Sequence, residues 1–207
     1  MIKPLKNKLL YLIIKTYVHY LIKRDFEKVV FNTPTLSPQK SILLLGNHFS
    51  WWDGFIPFYL NNLHYRKKFY ILMLEEKLRQ FPLFRFTGAY SIQKRSRSAI
   101  MSLRYTAQLL ENPNHLVVFF PQGKIQSIYQ DNPTFEKGLQ RILELIQPSR
   151  TQIVLSSTLP DYLQHRRPTL YVRWQVLPSS VFEFEELKRS FQEHLLNCKK
   201  LQSLYEA

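Results

Sequence analysis

The sequence predicts an α/β fold: a mostly parallel central sheet flanked by helices, with an amphipathic helix at the N-terminus. Three observations point to it. Short apolar runs bounded by Gly or Pro alternate with longer segments of helical period. Repeated strand–helix units are accommodated by a parallel sheet covered on its faces. The 207 residues are 45% hydrophobic and 21% charged, enough to bury one sizeable core and too apolar for a disordered chain.

Taken in order, residues 1–24 read as a helix with Leu5, Leu9, Leu12, Ile13 and Tyr20 apolar and lysines between them. No run in it approaches the roughly 20 apolar residues of a spanning helix, and no small-residue cleavage site follows it. Residues 1–28 carry seven basic and two acidic side chains. That composition, with Tyr11, Tyr17 and Tyr20, suits a helix lying in a membrane interface; the alternative is a helix packed on the domain with solvated lysines. The chain accordingly divides into a membrane-associating helix, 1–28, and a catalytic-type domain, 29–207.

Residues 41–45 (SILLL) form a short apolar run ending at Gly46, the signature of a buried strand. Trp51 and Trp52 lead into a helix over 53–63 that carries Phe55 and Phe58, then come a strand over 69–74 and a short helix over 75–81 stopped by Pro82. A weaker strand covers 89–92. Residues 96–112 read as a helix with Ile100, Leu103, Ala107 and Leu110 on one face, Ser96 as its cap and Asn112-Pro113 as its end. A strand over 116–120 (LVVFF) ends at Pro121. A helix over 135–147 presents Leu139, Ile142, Leu143 and Ile146. Strands over 153–155 and 170–174 and a polar helix over 183–205 complete the pattern.

Charge and composition exclude several functions. Cys198 is the one cysteine, so there is no intrachain disulfide and no Cys-based zinc site. Five glycines and the absence of GxGxxG or GxxxxGK[ST] argue against a phosphate-binding glycine loop. No histidine pair has metal-ligand spacing, so no metal and no cofactor is expected. The net charge of +14 implies an anionic partner, either a nucleic acid or an anionic membrane surface. No nucleic-acid-binding motif appears, and the basic residues do not gather on one recognition helix, so no nucleic-acid partner is expected.

In parallel α/β sheets ligands bind beyond the carboxyl ends of the strands. There this sequence sets Asn47-His48, with Asp53 five residues after the histidine, and later Pro121-Gln122-Gly123-Lys124. Lys94 and Arg95 follow the 89–92 strand. A carboxylate folded back onto one imidazole nitrogen fixes the tautomer and leaves the other nitrogen to take a proton. The alternative is that His48 merely starts a helix and Asp53 is solvated.

Asn47-His48-x4-Asp53 resembles the NHxxxxD block of the glycerolipid (lysophospholipid) acyltransferase family. Residues 119–123 (FFPQG) resemble its FPEG block, and 88–94 (GAYSIQK) its middle GxIFIDR block. The resemblance covers about residues 40–175. It implies transfer of a fatty acyl group from acyl-CoA or acyl carrier protein to a hydroxyl of a lipid acceptor, without metal. It implies a protein peripheral or monotopic on the cytoplasmic face of a membrane. His48 is then the general base and Asp53 its orienting partner; Lys94, Arg95, Gln122, Gly123 and Lys124 are candidates for binding substrate. A non-catalytic lipid-binding relative is the first alternative reading, and a basic nucleic-acid-binding protein ranks behind it.

The sequence also departs from the family pattern. Gln122 stands where a glutamate is usual, Lys124 where Thr or Ser is usual, and Glu75 at a position usually cationic. The acceptor is therefore open between lysophosphatidate and a sugar-bearing or other hydroxylated lipid. A phosphate acceptor requires Glu75 to be neutralised, for which Arg79, one helical turn on, is the natural partner. Seven basic and no acidic residues between 77 and 110 suit donor phosphates, an acidic carrier protein or anionic lipid.

Overall fold

The computed structural model describes residues 1–94 and 96–205; Arg95, one of the expected binding residues, lies outside the described residues. In chain order the elements are α1 (Lys8–Asp25), β1 (Val29–Phe31), β2 (Ser41–Gly46), α2 (Phe55–Leu60), β3 (Lys68–Leu74), α3 (Glu75–Gln80), β4 (Ala89–Ile92), α4 (Ser98–Leu110), β5 (His115–Phe119), α5 (Gly138–Leu143), β6 (Thr151–Asp161), β7 (Thr169–Val176) and α6 (Phe184–Gln202). The seven strands form one sheet in the order β1-β7-β6-β2-β5-β3-β4. All neighbours are parallel except β6 and β7. The carboxyl ends of β2 to β6 therefore lie along one edge of the sheet, while β7 and β1 run back.

The pleat sorts the central strands between two cores. Ile42 and Leu44 of β2, with Leu116 and Val118 of β5, face α1 and α2. Leu43, Leu45, Val117 and Phe119 face α4, α5 and α6. Burial on both sides is why β2 reads as an unbroken apolar run.

The helix α1 has two apolar faces. Ile14, Val18, Leu21 and Ile22 are buried, and Ile14, Val18 and Ile22 join the core beneath β2. The residues expected to form its apolar face point outward: Leu9, Leu12 and Ile13 are 68%, 56% and 53% exposed. Asn7 caps the helix, its side chain accepting from Leu10 N–H at 3.0 Å. Leu5 precedes the helix, and its N–H donates to the Arg85 carbonyl.

Other elements differ from expectation for identifiable reasons. The 53–63 helix is broken into a 3₁₀ turn (Trp51–Gly54), α2 and a π-turn (Asn61–Tyr65) closed by Arg66 N–H to the Asn61 carbonyl. Ser96 does not cap α4; its hydroxyl donates to the Gln93 carbonyl, and Arg97 holds the cap position. The buried face of α4 is rotated from the apolar reading. Ile100 is 49% exposed, while Ser102 and Thr106 are buried against β4, with Ser102 Oγ donating to the Ser91 carbonyl and Thr106 Oγ1 paired with the Tyr90 hydroxyl. The 135–147 helix shrinks to α5, and the Phe135 ring packs instead on Phe184 and Phe191. The strand expected over 153–155 extends through β6, whose Ser156, Ser157 and Thr158 are buried. The edge strand β1 was not expected at all.

Candidate active site

The site lies where β2 ends. Asn47 leaves the strand and bridges to β6: its Oδ1 accepts from Thr158 N–H at 2.8 Å and its Nδ2 donates to the Thr158 carbonyl at 3.0 Å. That bidentate pairing replaces the strand ladder just where the chain turns. Ser50 then caps the 3₁₀ turn, accepting from Trp52 N–H, and Asp53 completes a capping box.

Asp53 accepts more than a capping box requires. Its Oδ2 receives the Phe49 N–H at 2.6 Å, the Ser50 N–H at 2.9 Å and His48 Nδ1 at 2.7 Å, and its Oδ1 receives the Ser50 hydroxyl at 3.1 Å. The carboxylate side chain is 2% exposed and the imidazole 25%. A carboxylate accepting from Nδ1–H sets the tautomer with the proton on Nδ1. Nε2 then carries the lone pair on the more exposed ring.

The other side of the ring is held by Phe120, whose ring stacks on His48 at 4.5 Å and 16°. Gly46 makes room for it: a Cβ there would lie 2.9 Å from the Phe120 ring.

Gln122 comes from the end of β5, buried, and grips the His48 peptide. Its Oε1 accepts from His48 N–H at 2.5 Å, and its Nε2 faces the His48 carbonyl at 3.4 Å and Gln126 Oε1 at 3.0 Å. Gln126 adds its own N–H to the His48 carbonyl at 2.9 Å. Gly123 turns with φ +64, and a Cβ there would meet Glu136 Cγ at 2.6 Å and Lys94 Nζ at 2.7 Å. Lys94 donates to the Gly123 carbonyl and to Glu136, each at 2.7 Å. Lys124 is exposed.

The structure thus gathers His48, Asp53, Gln122, Gly123 and Lys94 around adjoining strand ends. Gln126 and Glu136 also belong to this arrangement and carry no local sequence signal; they meet the site only through the long loop after β5. The expected Glu75–Arg79 pair is present at 2.8 Å. The Arg79 guanidinium first, then the Ser91 hydroxyl, hold the Glu75 carboxyl below the usual carboxylate range.

The aromatic residues after His48 divide. Phe58 is buried in the core, whereas Trp51 is exposed and leads through Phe55 to Phe84 in the 3₁₀ turn Pro82–Thr87 and to Phe81 just before that turn. Among the described residues no His, Cys, Asp and Glu cluster has the makings of a metal site, and no helix is long and apolar enough to cross a membrane.

No curated protein matches the chain. Among solved structures it is similar to the 1-acyl-sn-glycerophosphate (LPA) acyltransferase PlsC from Thermotoga maritima, with a TM-score of 0.60 and 13% identity over 95% of this chain and 81% of that one. At that identity the likeness is one of fold. The acyltransferase family model matches residues 28–155, more than half of the chain and a span that includes His48, Asp53, Gln122 and Gly123. With the sheet, the strand-end site and this match together, the chain belongs to the acyltransferase family.

Proposed function

We propose that this protein moves a fatty acyl group from an acyl thioester, borne by acyl-CoA or acyl carrier protein, to a hydroxyl of a lipid acceptor. His48 acts as general base. The observation that carries this reading is the Asp53 carboxylate bound to His48 Nδ1 at 2.7 Å. It leaves Nε2 to take the acceptor's hydroxyl proton as the oxygen attacks the thioester carbon. The carbon–sulfur bond breaks, the ester forms, and the thiolate leaves and takes up a proton. Asp53 is a positioning residue that also stabilises the imidazolium. Gln122 holds the His48 peptide rather than the acceptor. Lys124, exposed beside the turn, faces donor phosphates or an acidic carrier.

The reaction is proposed to run at a membrane surface, with the protein peripheral or monotopic on the cytoplasmic face. Supporting this are the outward Leu9, Leu12, Ile13, Tyr17 and Tyr20 of α1 and the exposed Leu83, Phe81 and Trp51 of neighbouring turns. Apolar and aromatic side chains bordered by lysines suit an anionic lipid interface.

The test is thiol release from acyl-CoA and acyl carrier protein with a panel of lipid acceptors, products identified by mass. His48→Ala is expected to lower turnover by about 10²-fold or more in a folded protein. Near-normal turnover in that variant rejects the base role. A wild-type protein that binds lipid without releasing thiol is a non-catalytic relative.

A further inference from the structure

Next to the site, at the carboxyl ends of β3 and β4, lies a cleft of about 460 Å³ lined by Glu75, Glu76, Arg79, Gln93 and Lys94. That volume is in the range of small-ligand pockets. A short chain of contacts joins it to His48: Lys94 holds the Gly123 carbonyl, and the adjacent Gln122 holds the His48 peptide. With strands about 4.8 Å apart, the ends of β3 and β4 stand two and three strands from β2, about 10–14 Å away before side-chain reach is subtracted. An acceptor whose reacting hydroxyl sits at His48 can extend its headgroup into this cleft.

Among the described residues, the two cations that line the cleft are each paired with a carboxylate. Arg79 is paired with Glu75 at 2.8 Å, and Lys94 with Glu136 at 2.7 Å. Glu75 is further held by the Ser91 hydroxyl at 3.1 Å and by the N-terminal ammonium of Met1 at 3.7 Å. Glu76 adds a second carboxylate to the lining. A phosphate monoester carries about −1.5 to −2 charges near neutral pH. To bind here it must draw a cation away from its carboxylate and approach two others of its own sign. Hydroxyl groups make no such demand. The carboxylates accept from them, the Gln93 amide both donates and accepts, and Lys94 donates.

We propose that this cleft seats an uncharged, polyhydroxylated headgroup, a glycosyl group, in preference to a phosphate monoester, and so sets the acceptor class. The proposal rests on the acyl-transfer reading above and names the substrate of that same site.

The experiment is a competition in mixed micelles between 1-acylglycerol 3-phosphate and monoacyl galactosylglycerol at equal mole fraction, with an acyl thioester donor. The acylated galactolipid is expected in at least about tenfold excess. Glu136→Ala, which frees Lys94, and the exposed Glu76→Gln are each expected to shift the product ratio toward the phosphate by about threefold or more. Equal use of the two acceptors, or preference for the phosphate lost on Lys94→Ala, overturns the headgroup assignment and leaves acyl transfer standing. A galactolipid preference that neither variant moves also overturns it, because selectivity then lies elsewhere. No acyl product from any acceptor overturns the acyl-transfer reading and this proposal together.

Discussion

Gln122 Oε1 accepts the His48 backbone N–H at 2.5 Å, across 74 residues of chain, while its Nε2 lies 3.4 Å from the same residue's carbonyl. One buried amide therefore matches both polar groups of the residue that bears the imidazole. A carboxylate keeps the first bond and loses the second, and it also faces Gln126 Oε1. Gln122→Ala leaves the His48 N–H without its acceptor, at a cost of about 1–3 kcal/mol. The expected order of urea stability and of kcat is wild type, then Gln122→Glu, then Gln122→Ala. KM for the thioester is expected to change less than kcat, since the amide aligns the base and does not touch the donor.

Asp53→Asn is expected to do double damage. An amide in place of the carboxylate points an NH₂ at some of the groups that now donate to it, two backbone N–H groups and the Ser50 hydroxyl among them. It also ceases to select the Nδ1–H tautomer. Turnover should fall by about 10²-fold or more, and thermal unfolding should report a loss of about 1–3 kcal/mol. Turnover close to wild type would reject the orienting role of Asp53.

Gly123→Ala is expected to destabilise the turn by about 1–3 kcal/mol, because φ +64 is unfavourable for a residue with a Cβ and the new methyl meets Glu136 and Lys94. Glu136→Ala in the same background removes part of the clash. Chemical denaturation of the single and double variants checks this: the double variant should recover part of the loss, not add to it.

The parts of this molecule legible in its sequence are those whose partners are local or whose environment is uniform. β2 stands out because both of its faces are buried, so no polar residue interrupts the run. His48 and Asp53 are five residues apart, and one turn brings them together. What the sequence conceals depends on distant partners. Ser102 and Thr106 look like solvent-facing residues of α4 until β4 supplies their hydrogen bonds. Ser156 and Thr158 hide the length of β6 because they are polar, and Asn47 is what satisfies the Thr158 backbone. Gln126 and Glu136 reach the site only through tertiary structure. β1 has three residues, too few for any period to emerge.

The outward face of α1 separates two roles of that helix. Removing residues 1–24 takes away Ile14, Val18 and Ile22, which belong to the core, so that truncation does not isolate membrane binding. Leu12→Glu with Ile13→Glu alters only exposed positions. Each such side chain buried in lipid contributes about 1.5–3 kcal/mol. The double variant should keep its unfolding midpoint and bind anionic vesicles at least about a hundredfold more weakly, as read by co-sedimentation. Unchanged vesicle binding would place the membrane contact elsewhere.

The last prediction concerns acid stability and rests on His194, buried on α6. Its Nε2 lies 3.2 Å from the Arg173 carbonyl and its Nδ1 2.9 Å from Gln175 Oε1, with Cys198 Sγ 3.7 Å from the ring. Burial pushes its pKa down to about 4, only partly offset by the carbonyl, and the Arg173 charge lowers it further. The unfolded chain titrates near the ordinary value of about 6.5. Between those values the unfolded state binds the extra proton, so stability rises with pH across the window. The contribution is fully present above about pH 6.5 and is lost as pH falls toward about 4, amounting to a few kcal/mol, about 3 at the lower end. His194→Gln has no proton to take up, so its urea stability should fall less steeply between pH 6.5 and pH 4 than that of the wild type. Parallel pH dependences for the two proteins would show that His194 is not held neutral by its burial.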